Sequence, residues 1–110
     1  MNHPNRLPDP VARYIQAQNE EDTDAMVASF TPDAVVHDER REHRGTSAVR
    51  EWIVDVTKRY APKIRVVETS TDGADVIADV LVSGTFPGSP LRQRFVFALT
   101  GERIARLEIA

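Results

Sequence analysis

Three groups of side chains in this sequence have types and spacings that could do chemistry. Ala34, Val36 and Asp38 alternate, so in an extended segment they share one face, and the first two are small or apolar. A carboxylate ending such an inward row gives up hydration. Burial disfavours its charged form, raises its pKa and suits it to shuttling a proton. Arg40 and Arg41 follow at once, and either could instead hold Asp38 as a turn-capping ion pair. The sequence permits both. Tyr14 sits with Val11, Ile15 and Gln18 at helical spacing, on a face that must pack inward. Its hydroxyl will then need a partner. His37, His43, Asp38 and Glu42 have metal-ligand chemistry, but strand alternation divides them between two faces, so no metal site is expected. His37, adjacent to Asp38, should face away from it as a surface or interface histidine.

Composition narrows the rest. The chain has 110 residues and a formal net charge of -3, with 41% hydrophobic and 28% charged residues, which fits one globular domain with its own core. It holds no cysteine, so disulfides and thiolate chemistry are excluded. No apolar run approaches the ~18 residues of a membrane span, and no secretory leader pattern is present. The cytoplasm is the expected compartment, with no membrane partner. The basic run from Arg40 to Arg44 is broken by Glu42 and belongs to an acidic chain, which argues against nucleic acid. No phosphate-cradling glycine loop or nucleophile elbow appears, and no cofactor is expected.

These residues are positioned by a readable series of elements. Asp9-Pro10 predicts a helix start, with Asp9 as the cap. Asp22 predicts the cap of a short second helix carrying Met26 and Phe30, stopped by Thr31-Pro32. A strand from Ala34 to Asp38 turns at Arg40-Arg41 and returns briefly over Glu42 to Arg44. Gly45-Thr46-Ser47 opens the longest helix, whose apolar stripe is Val49, Trp52, Ile53, Val56 and Tyr60, ended by Pro62. Beyond it the chain is strand-like. Asp72-Gly73 and Gly101 make turns, and Phe86-Pro87-Gly88-Ser89-Pro90 makes a stiff loop. Val76, Ala78, Val80 and Val82 share one face; Gln93, Phe95, Phe97 and Leu99 share another, as do Ala105, Leu107 and Ile109. Asp79 falls on the outer face. Helices followed by short-turned strands predict an α+β domain with helices on one sheet face. Residues 1–7 read as a loose arm and 8–110 as the single domain.

The order of these segments resembles the nuclear-transport-factor-2-like superfamily, which includes SnoaL-like cyclases and ketosteroid isomerases. The likeness is carried by Arg13-Tyr14, by Asp22 to Phe30, by Asp33 to Asp38 and by Gly45 to Trp52, with the closing strands in order. It implies a cone-shaped fold, with three helices packed on a strongly curved, mostly antiparallel sheet around a pocket open at one end. The loop from Phe86 to Pro90 is similar to that of a short bacterial subgroup with no assigned reaction. Matched to ketosteroid isomerases, Tyr14 falls on the oxyanion donor and Asp38 on the catalytic base. The second acid falls on or beside Phe95, which cannot donate a hydrogen bond.

Pocket lining is therefore expected from among Met26, Phe30, Trp52, Val56, Tyr60, Phe86, Phe95 and Phe97; each taken singly would sooner fill the core, but the cone fold leaves part of the set facing a cavity. The expected ligand is a small apolar or aromatic molecule. Two functions compete: acid–base catalysis without a cofactor by Asp38 and Tyr14, of isomerase, cyclase or hydrolase type, and non-catalytic ligand binding. The resemblance also implies a homodimer through the outer sheet face, where Val96, Ala98 and Ile104 are expected among Arg92, Arg94, Arg106 and Glu108.

Overall fold

A computed structural model describes residues 7–110. Three helices, α1 (Asp9–Asn19), α2 (Thr23–Ala28) and α3 (Thr46–Tyr60), pack on one face of a six-stranded, mostly antiparallel sheet. Its strands are β1 (Phe30–Asp38), β2 (Arg41–Arg44), β3 (Lys63–Asp72), β4 (Asp75–Ser83), β5 (Leu91–Thr100) and β6 (Arg103–Ile109). Their order is β2-β1-β6-β5-β4-β3, and β1 runs parallel to β6. The expected α+β class holds. Met1 to Arg6 of the expected arm lie outside the described residues, while Leu7 already packs against the core.

The helix ends show which local signals acted. Asp22 Oδ1 accepts from the Ala25 backbone N–H at 3.1 Å, capping α2 as its position predicts. Asp9 does not cap α1. The cap is Pro8, whose carbonyl accepts from Ala12, and Asp9 is the first helical residue, where a carboxylate suits the helix dipole. The α3 stripe is buried at Val49, Trp52 and Ile53 and half-buried at Val56 and Tyr60.

Two strand readings change. β1 begins at Phe30, four residues before the expected Ala34. Phe30 pairs with Ile104, and the ladder resumes only at Val35, so Pro32 lies in an unpaired stretch where its missing N–H costs nothing. In β6, Leu99 pairs with Ile104 but Ala98 with Arg106, leaving Ala105 as the extra residue of a bulge. The bulge inverts the alternation at the start of the strand. Ile104 turns inward and is fully buried with Leu107, and Ala105 leaves the inner row. A second bulge, at Val67 between the Val66 and Glu68 pairings, interrupts β3. A bulge bends its strand and increases the local twist.

Candidate functional site

The helices and the inner sheet face do not close completely. Between α1, α3 and the inner row from β3 to β6 lies a cavity of about 390 Å³. Its walls take Tyr14 and Gln18 from α1, Trp52, Val56 and Tyr60 from α3, and Ile64, Val82, Gln93, Phe95 and Ile109 from the sheet. Asp38 ends β1 and Glu39 follows it in the turn, and Phe86, Pro87 and Leu91 come from the region after β4.

Asp38 and Tyr14 line this one cavity. The Tyr14 side chain is fully buried, its ring meeting Phe30 and Phe97 edge-on at 5.4 and 6.0 Å between centroids. Its hydroxyl has no hydrogen-bond partner among the described residues. Burial, with the Asp38 charge nearby, pushes its pKa far up, so the hydroxyl stays a neutral donor. Asp38 is half-buried, and loss of hydration pushes its carboxyl above the usual range. Its partner is neither Arg40 nor Arg41. The Trp52 indole N–H donates to Asp38 Oδ2 at 3.0 Å, partly offsetting the burial. The turn explains the missing arginines: Glu39 and Arg40 hold φ of 54° and 64°, and both arginines stay exposed.

The nine-residue β1 and the 15-residue α3 hold this pair, and the mouth has its own scaffold. Arg59 Nη2 reaches Glu39 Oε1 at 3.0 Å and Asp55 Oδ2 at 2.7 Å, and the guanidinium lies 4.6 Å from the Tyr60 ring centre. Those two carboxylates raise the Arg59 pKa, so it stays charged. Tyr60 meets Phe86 edge-on at 5.8 Å. At the far end of α1, the Asn19 side chain accepts from the Ile64 N–H at 2.7 Å and donates to the Ile64 carbonyl at 2.9 Å, fixing helix to sheet.

Of the residues expected to line a pocket, Trp52, Val56, Tyr60, Phe86 and Phe95 are on the wall. Met26, Phe30 and Phe97 are not. They are buried in the core, Phe30 and Phe97 behind Tyr14, because the helix–sheet contact there is closed. Gln18 and Gln93 reach the wall without having been expected there. Gln18 sits one turn after Tyr14, and Gln93 leads the inward row of Phe95 and Phe97, so both periodicities already carried the signal. His37 faces outward, 3.8 Å from Glu42 across the ladder. Among the described residues no group of three or more histidine, aspartate or glutamate side chains is placed to hold a metal ion. No helix of the described residues is long and apolar enough to cross a membrane.

The helix-backed, bulged sheet shares its fold with solved proteins described as NTF2-like and ketosteroid isomerase-like, and residues 11–107 match the SnoaL-like domain family. The chain belongs to that family. It is similar to a proposed polyketide cyclase from Sinorhizobium meliloti, at 41% identity over 94% of this chain and 95% of that one, with a TM-score of 0.91. SalBIII, an epoxide hydrolase/cyclase-like enzyme of pyran ring formation in the polyether salinomycin, is 27% identical over 91% of this chain and 85% of its own, with a TM-score of 0.79. A proposed polyketide cyclase from Xanthomonas campestris shares the fold at 23% identity, with a TM-score of 0.78 over 91% of this chain and 85% of that one. No functionally curated protein matches the sequence significantly.

Proposed function

We propose that this chain is an acid–base enzyme acting on a small, largely apolar molecule that carries an oxygen acceptor, in a reaction of cyclase, isomerase or epoxide-hydrolase type. One observation carries the reading. A carboxyl of raised pKa and an unpartnered, donor-competent hydroxyl line the same cavity. In the proposed step the Asp38 carboxylate takes a proton from the substrate, or in hydrolysis from the attacking water, while the Tyr14 hydroxyl donates to the oxygen on which charge develops. The proton then returns from Asp38 at another atom of the substrate. The likeness to a proposed polyketide cyclase and to an epoxide hydrolase/cyclase-like enzyme supports this class of chemistry. The cavity volume is within the range of ordinary small-molecule sites. The Phe86–Pro90 loop contributes Phe86 and Pro87 to the wall, so membership of the short subgroup with that loop would bear on ligand choice.

A second reading, non-catalytic ligand binding, is favoured by Phe95. It stands on or beside the place of the ketosteroid isomerases' second acid and offers no donor; on its face only the amide of Gln93 lies nearby. A thermal-shift screen with small aromatic ketones, epoxides and polyketide-like phenols, followed by turnover assays of the hits, separates the two. Catalysis requires hits that wild type turns over and that Asp38→Asn binds but converts ~10²–10⁴-fold more slowly. Hits that neither protein converts would favour binding alone. No hit at all would remove both readings.

A further inference from the structure

We propose that Trp52 is the positioning residue for Asp38: its indole N–H holds Oδ2, so that Oδ1 is the oxygen that takes up and returns the proton. This inference rests on the acid–base reading of the cavity and assigns the side chain that orients its base. An indole N–H is a donor only. It binds a carbonyl-type or anionic oxygen better than a hydroxyl oxygen, so a neutral Asp38 keeps its proton on Oδ1 and a charged Asp38 keeps the N–H bond strengthened.

The geometry fits a positioning role. Trp52 is 6% exposed, in the middle of α3 and flanked on its stripe by buried Val49 and half-buried Val56, so its ring has little freedom. The 3.0 Å bond runs from this helix to the last residue of β1, tying together the two elements that meet at the cavity. Oδ1 has no side-chain hydrogen bond among the described residues. The His43 ring from β2 lies 6.1 Å from the indole at a 34° tilt.

The charged groups that act on Asp38 are Glu39, next in the chain, and His43 from β2, while the neutral Tyr14 hydroxyl from α1 feels the Asp38 charge. The Glu39 backbone N–H also favours the charged carboxyl, and the Glu39 charge disfavours it. Among the described residues, only the Trp52 bond is a side-chain hydrogen bond to Asp38. Its removal should therefore move the Asp38 titration upward, where loss of mere packing would leave the midpoint in place.

Trp52 is the sole tryptophan, so its indole N–H resonance is identified without ambiguity. In wild type that resonance should follow pH with the same midpoint as the Asp38 carboxyl carbon, and the transition should vanish in Asp38→Asn. In Trp52→Phe the Asp38 midpoint should rise by about one to two pH units, the worth of a charge-assisted hydrogen bond. An indole resonance that ignores the Asp38 transition overturns the proposal. So does an unmoved midpoint in a folded Trp52→Phe protein. If that variant does not fold, the wild-type measurement alone decides. Neither readout involves turnover. A protein that shows the coupling but no Asp38-dependent conversion would lose the positioning role through failure of the acid–base reading, with the hydrogen bond intact.

Discussion

Replacing Asp38 with asparagine keeps an acceptor for the Trp52 indole and removes a carboxyl whose charged form burial disfavours. Below the ordinary aspartate pKa of 3.8 that carboxyl is protonated whether the chain is folded or not, and it carries no penalty. As pH rises, the unfolded chain ionises first, and stability falls until the folded group ionises as well. The penalty is constant above that point. Asp38→Asn should therefore stabilise the fold by ~0.5–2 kcal/mol at neutral pH, with the gain vanishing below 3.8, as urea denaturation at the two pH values would show. A depressed rather than raised Asp38 pKa would reverse this sign. Tyr14→Phe makes a parallel case. The hydroxyl is buried without a partner, and its ring fills a closed part of the core. Its removal should be neutral or stabilise by ~1 kcal/mol while weakening any oxygen-bearing ligand about tenfold, read by denaturation and titration of a screening hit.

At the scale of the elements, the cavity exists because two joints keep helices and sheet at a fixed distance. Asn19 is the first joint. Its amide satisfies both backbone groups of Ile64, so Asn19→Ala should cost ~1–3 kcal/mol by stranding them. The second is the crossing of the chain after β4 over the end of α3. There the Thr85 N–H donates to the Tyr60 carbonyl at 2.8 Å and the Thr85 hydroxyl to the Arg59 carbonyl at 3.1 Å. A Cβ on Gly84 would collide with the Tyr60 carbonyl oxygen, and the Phe86 ring stands close on the other side. Gly84→Ala should therefore cost ~1–3 kcal/mol and shift Phe86 at the mouth, seen as lower denaturation midpoint and altered ligand affinity. An unchanged midpoint would mean that the loop moves away freely.

At the scale of the whole molecule, the outer sheet face carries a set of ion pairs. Arg94 meets Asp79 at 3.2 Å, and Arg106 meets Asp75 at 3.1 Å and Glu108 at 2.9 Å, so much of its charge is already paired. We propose that this face, with half-buried Val96 and Ala98, pairs with a second copy of the chain. Light scattering should then return twice 12.3 kDa, and a mass of 12.3 kDa at high concentration would overturn the pairing. Ile104 takes no part, because the Ala105 bulge turns it into the core.

What the sequence makes legible and what it does not is set by the range of the forces. Alternation and helical spacing are local, so the sequence by itself determined the three helices, the strand series, the inward side of β4 and β5 and the burial of Tyr14 and Trp52. Asp22 as a cap was legible for the same reason. Phe30 as a strand start and Ile104 as a core residue were not, since an interrupted ladder and a bulge arise from pairing with a distant strand. The choice among Asp38's partners was also non-local. Arg40 and Arg41 are neighbours in sequence, but a left-handed turn keeps them in solvent, while Trp52 arrives from another element. Only the tertiary structure could put one side-chain donor on that carboxylate, leave the Tyr14 hydroxyl without a partner among the described residues, and hold both beside an unfilled space.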